Sequence, residues 1–161
     1  MKNIKEYYKI AGDILTNEHF LELKNDIHHG TNKYDHCKRV SYLSYKLAKI
    51  FKADTKEVIR AGLLHDFFFG QRTDKDENSY LNHPKTSSEN AKKYFNITEK
   101  EAKSIETHMF HHVIVKKVLP FVNVKEKAKL KEHKPKSKEG AIICLADFLV
   151  SVYEFERFKL S

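Results

Sequence analysis

The chain has 161 residues, 40% of them hydrophobic, and a formal net charge of +8 at pH 7. That length and apolar fraction predict one folded domain with a respectable core. Five Gly and three Pro leave little room for a hairpin-rich β fold, and no apolar run approaches the roughly 20 residues that a membrane-crossing helix needs.

In chain order, the apolar residues Ile4, Tyr7, Tyr8, Ile10, Ala11, Ile14 and Leu15 recur at a helical period. Phe20, Leu21 and Leu23 continue as a short second helix, which breaks at Ile27-His28-His29-Gly30. Thr31 or Asn32 caps a long helix to about Phe51, with Val40, Leu43, Leu47 and Ile50 on one face. His36 lies one turn before Val40 and projects from the same buried face. Asp54 and Glu57 have the spacing of a capping box for the next helix, which ends near Asp66. Residues 67–84 form the longest polar connection, of a length common in functional lids. A helix over 85–94 follows. Thr98 and Glu101 repeat the capping box for a helix through His108 or beyond. Pro120 and Pro135 interrupt an ambiguous stretch over 113–136. Ser137 or Lys138 then opens a final apolar helix over 141–158. These elements predict an all-α, multi-helix bundle over residues 1–161. Its core spans about 30–155, with N-terminal helices over 3–24 packed on it.

Cys37 and Cys144 sit inside helical patterns, far apart, and no signal-like segment precedes them. They read as small buried thiols, kept reduced in a cytoplasmic protein. From Lys116 to Lys138 there are nine lysines against Glu126 and Glu132. The stretch lacks arginine clusters and interleaved aromatics, so it does not indicate nucleic-acid binding. A solvated surface accounts for it, or positive charge that steers a phosphorylated small molecule.

The chemistry concentrates at His65-Asp66, which closes the apolar run Val58 to Leu64. An imidazole beside a carboxylate at the inner end of a buried helix is costly unless something pairs with it. A metal ion meets that need, since it neutralises the carboxylate and accepts the imidazole lone pair. His36 and Asp147 occupy similar apolar settings, as do His83 and His108. His36, His65, Asp66 and Asp147 together offer two imidazoles and two carboxylates. That set suits Fe, Mn, Co, Ni or Zn better than Mg, which favours oxygen alone. Taken singly, a histidine is more often a satisfied core or surface residue than a ligand. His19, His28, His29 and His133 read as surface groups, and Arg39, Arg72 and Lys85 are candidate phosphate contacts.

The ordered pattern His36, His65-Asp66, Asp147 resembles the HD-domain metal-dependent phosphohydrolase superfamily. Three further segments strengthen the resemblance: Asn82-His83-Pro84 with Ser87 and Ala91, Ile105-Glu106-Thr107-His108, and Ala146-Asp147-Phe148-Leu149-Val150-Ser151. The likeness spans about residues 30–155. It implies an all-helical scaffold and one or two divalent transition metal ions. His36, His65, Asp66 and Asp147 are then ligands, and Asp66, His83 and His108 the catalytic group. In a two-metal arrangement Asp66 bridges, and His83, His108 and His111 or His112 extend the site. Alternatively, His83 and His108 bind the substrate phosphate directly. Where two-metal members often carry consecutive histidines, this chain has His108-Met109. The implied activity is hydrolysis of a nucleotide-like phosphoester or phosphoanhydride by a metal-activated water. The competing reading is a non-catalytic module that binds a ligand or partner and keeps a structural metal.

Overall fold

The computed structural model of the protein describes residues 2–28, 31–70, 82–111 and 133–160. The described residues are all-α apart from one small hairpin. Helix α1 (Lys2–Leu15) and the single turn α2 (Glu18–Leu21) lead into a 3-10 turn over Glu22–Asn25. The expected break then takes ordered form: strand β1 (Ile27–His28) pairs antiparallel with β2 (Thr31–Asn32). Next come α3 (Lys33–Phe51), α4 (Thr55–Leu64), α5 (His83–Tyr94), α6 (Glu99–Glu106) and α7 (Lys138–Leu160).

Helix α4 is the hub. Every residue from Glu57 to Leu64 is buried, as expected of a helix covered on all sides. It packs against α1, α3, α5, α6 and α7. The closest approach is to α3: a Cβ placed on Gly62 would meet Ser41 Cα at 2.9 Å. The α3 face that meets this core is His36, Cys37, Val40, Ser41, Ser44, Tyr45 and Ala48. Ile50, expected on that face, is exposed. It lies in the last turn, where α3 runs past the packed region. The α3 C-cap, Lys52, adopts the left-handed region at φ 53° and so ends the helix.

The caps divide into one that matches the sequence pattern in full and one that does not. Thr98 and Glu101 form both halves of a capping box at α6. At α4, the Asp54 side chain accepts from the Lys56 and Glu57 amides, but Glu57 does not return the bond. It is buried, and Ser104 Oγ donates to its Oε1 at 3.0 Å. The Asp54 amide donates instead to Glu139 Oε1, 3.0 Å away on α7. Tertiary packing has replaced a local partner with a distant one.

Helix α6 stops at Glu106, short of the expected extension through His108. Thr107 Oγ1 donates to the Lys103 carbonyl at 3.0 Å, and a turn over 107–109 follows. Most of the 67–84 connection and most of the lysine-rich stretch, together with Arg72 and His112, lie outside the described residues. No helix among the described residues is long and apolar enough to cross a membrane.

Candidate metal centre

The cluster is assembled from different elements, each ending or turning at its contribution. Asn32 Oδ1 accepts from the Asp35 amide at 2.8 Å, which starts α3 and places His36 in its first turns, facing inward. The buried face of α4 ends at Leu64, so His65, its C-cap, and Asp66 emerge fully enclosed. His83 stands at the start of α5, followed by a proline suited to a first helical turn. His108 sits in the turn after α6, and Asp147 lies on the inner face of α7.

The atoms converge. His36 Nε2 is 3.3 Å from His65 Nε2 and 3.2 Å from Asp147 Oδ1. His65 Nε2 lies 3.7 Å from both Asp147 Oδ1 and Asp66 Oδ2. The other oxygen of Asp66 faces a second pair: Oδ1 is 3.2 Å from His83 Nε2 and 3.6 Å from His108 Nε2. Those two nitrogens are 3.1 Å apart. Asp66 therefore stands between two histidine pairs with one oxygen toward each.

The outer ring nitrogens decide what the inner ones can do. His65 Nδ1 donates to the Gly62 carbonyl at 2.8 Å, and His108 Nδ1 to the Ile105 carbonyl at 2.7 Å. A carbonyl can only accept, so in the neutral rings both protons sit on Nδ1 and both Nε2 atoms present lone pairs. His36 Nδ1 is likewise engaged, at 2.8 Å from Glu154 Oε2. Lone pairs and carboxylate oxygens crowded in a space without solvent repel unless a cation lies among them. The donor set thus fits a metal ion. Among the described residues, two groups of side chains could hold one: His36, His65 and Asp147, and His65, Asp66 and His108, each with ligand atoms within 4.8 Å of one another.

The protonation tendencies agree. Burial disfavours charge on His65, but Asp66 and Asp147 outweigh it and hold the imidazole well above its usual range. His36 is raised by Asp147 and Glu154 in the same way, against the pull of burial. Asp147 stays well below the usual carboxylate range because His36 and His65 overcome its burial. This half of the pocket attracts positive charge. His108 is the opposite case: burial drives it down to about 4, so it is a neutral donor at pH 7.

His111 returns to the centre although α6 does not continue to carry it there. Its Nε2 is 3.9 Å from Asp147 Oδ2, and its Nδ1 donates to the His108 carbonyl at 3.1 Å. Two of the candidate phosphate contacts, Arg39 and Lys85, are among the described residues. Arg39 bonds Glu154 Oε1 at 2.7 Å and Thr31 Oγ1 at 3.2 Å. Lys85 is exposed and 3.8 Å from Glu89. His19 and His133 are half-buried, and His19 pairs with Glu22 and lies against the Tyr94 ring at a tilt of 46°.

Two further residues belong to the surroundings of the centre. Glu154 is buried and holds His36. Its sequence signal is a carboxylate two helical turns after Asp147, on the same face of an apolar helix. Lys33 is 1% exposed. Its Nζ bonds Asp26 Oδ2 at 3.0 Å and the Phe68 carbonyl at 2.9 Å, and lies 3.5 Å from the centroid of the Phe68 ring. It ties the start of α3 to the chain that leaves His65-Asp66. No signal in the sequence separates it from the other lysines.

Comparison with curated proteins gives no significant match, and comparison with solved structures gives none. The family model for the HD domain matches residues 34–150, the span from the turn before His36 to just past Asp147. With that match over most of its length, and with His36, His65-Asp66 and Asp147 brought to one point, the chain belongs to the HD-domain family.

Proposed function

We propose that this protein is a metal-dependent phosphohydrolase acting on a nucleotide-like phosphoester or phosphoanhydride. Members of the HD-domain family are generally metal-dependent phosphohydrolases, and they bind divalent metals. The observation that carries the reading is the division of Asp66, with one oxygen toward His36 and His65 and the other toward His83 and His108. A buried carboxylate shared in this way suits a centre of one or two ions.

On this reading His36, His65, Asp66 and Asp147 hold one divalent transition metal. His83 and His108 either share a second ion with Asp66 or face the phosphate. When bound, such an ion acts as a Lewis acid toward phosphoryl oxygen and lowers the pKa of water toward neutrality. The chain's own residues do the rest. The Gly62 and Ile105 carbonyls and Glu154 orient three imidazoles. Burial excludes bulk water and keeps His108 neutral at working pH. The substrate class rests on the family and on the net charge of +8, which favours anions.

The test is metal analysis of anaerobically purified protein, followed by hydrolysis assays. The panel holds mononucleotides, nucleoside polyphosphates and phosphodiesters. Bound metal with turnover of a panel member is the expected result. Bound metal with no turnover of any phosphate ester or anhydride would support the non-catalytic module instead.

A further inference from the structure

Glu154 orients His36 in the function above, which leaves its partner Arg39 without a role, and Glu154 lies outside the matched residues 34–150. Glu154 divides its oxygens: Oε2 is 2.8 Å from His36 Nδ1, and Oε1 is 2.7 Å from an Arg39 guanidinium nitrogen. Both His36 and Glu154 are buried, at 0% and 5% exposure. Arg39 also bonds Thr31 Oγ1 on the hairpin, at 3.2 Å. The His36 contact to Glu154 is shorter than its contact to Asp147 Oδ1, which is 3.2 Å.

We propose that Arg39 and Glu154 act as a positioning pair that keeps the His36 proton on Nδ1, so that Nε2 faces the centre as a lone pair. The inference rests on the metal-centre reading above. Arginine has no acceptor, so whatever faces it must be an oxygen. A carboxylate has two oxygens, so it satisfies Arg39 and still accepts from His36. An amide has one oxygen. In Glu154→Gln, Arg39 would claim that oxygen and turn the NH2 group toward His36 Nδ1. The ring would then have to accept there and carry its proton on Nε2, which points at Asp147 and His65. An isosteric change two contacts from any substrate would thereby close one ligand position. Removing Arg39 as well would free the amide to turn its oxygen back to His36. A purely structural role for the pair predicts the reverse, because two losses of packing and hydrogen bonding accumulate.

The test uses the full chain as wild type, Glu154→Gln, Arg39→Met and the double variant. Mn2+ affinity is measured by calorimetry, and the histidine tautomers by 15N NMR on metal-free protein at alkaline pH. Glu154→Gln is expected to weaken Mn2+ binding by about 10–100-fold, the usual effect of losing an outer carboxylate on a metal histidine. It should also move the His36 proton from Nδ1 to Nε2. The double variant should bind Mn2+ more tightly than Glu154→Gln alone and return the proton to Nδ1. The proposal is overturned by wild-type affinity in Glu154→Gln, or by a double variant weaker than it with the proton still on Nε2. Should the wild type take up neither Mn2+ nor, in the same assay, Fe2+, Co2+, Ni2+ or Zn2+, the metal-centre reading fails, and the NMR series still decides the tautomer control.

Discussion

Asp66 is the side chain with most at stake, since its two oxygens face different histidine pairs. Asp66→Ala is expected to abolish tight metal binding and hydrolysis together, because no neighbour supplies that charge to both sides. The variant should still fold, as removing a buried carboxylate also removes its desolvation cost. Metal content and turnover of the purified variant check this; full activity on the best wild-type substrate would sink the mechanism. His83→Ala and His108→Ala should impair turnover more than they impair uptake of the first ion, for both lie on the far side of Asp66 from His36 and Asp147. Metal stoichiometry measured beside kinetics decides it, and loss of all metal from either variant would make them primary ligands. Away from the centre, the Tyr7 hydroxyl donates to Ser41 Oγ, and burial pushes it up to about 12. In the unfolded chain it ionises near 10, so between those values the folded state binds more protons. Its contribution is full below pH 10 and is lost as pH rises through 12, on the order of 2 kcal/mol. Urea midpoints across that window should fall less steeply in Tyr7→Phe than in wild type.

At the scale of elements, the centre depends on how closely α3 and α4 approach. Gly62 permits it, with Ser41 Cα 2.9 Å from where a Cβ would be. The obstacle is backbone, which cannot swing aside. Gly62→Ala should therefore separate the helices at a cost of about 1–3 kcal/mol, the usual range for overpacking. The effect should reach the centre, since the Gly62 carbonyl receives the His65 Nδ1 proton. Denaturant midpoint and metal affinity are expected to fall together; an unchanged midpoint with unchanged affinity would contradict the close approach. The caps show the same reach of packing over local pattern. Asp54 caps α4 as its position predicts, yet its amide is bonded by Glu139, 85 residues away, while Glu57 turns inward to Ser104.

At the scale of the whole molecule, the net charge of +8 bears on encounter with substrate. Neutralising several of the lysines from Lys116 to Lys138 should lower kcat/KM at low salt, and the loss should shrink as ionic strength rises. Exposed charge reaches only ~8 Å at physiological salt. kcat should barely change, since none of these lysines is assigned a contact with reacting groups. Kinetics across a salt series test it, and a large, salt-independent fall in kcat would place a lysine in the active site. The exposed apolar residues Leu145, Leu149, Val152 and Tyr153 on α7 belong to the same scale, and nothing among the described residues explains them.

The features determined by sequence alone are those that act within a few residues. The Asn32 cap, the Thr98–Glu101 box and the inward face carrying His36 follow from local hydrogen bonding and the helical period. So does the burial of His65-Asp66, because an apolar run on all sides of α4 leaves its end enclosed. The tertiary structure decided what those faces meet. Periodicity states which side of a helix is buried, but not which helix covers it or at what height. Hence the inward face of Glu154 is legible, but its contact with His36, 118 residues apart, is not, nor is that of Lys33 with the Phe68 carbonyl. Ile50 has the same cause: it is apolar and in register, yet it stays exposed in the last turn of α3 among the described residues. The two-sided placement of Asp66 is also tertiary: a residue type can supply two oxygens, but only packed helices can aim each at a different pair of imidazoles.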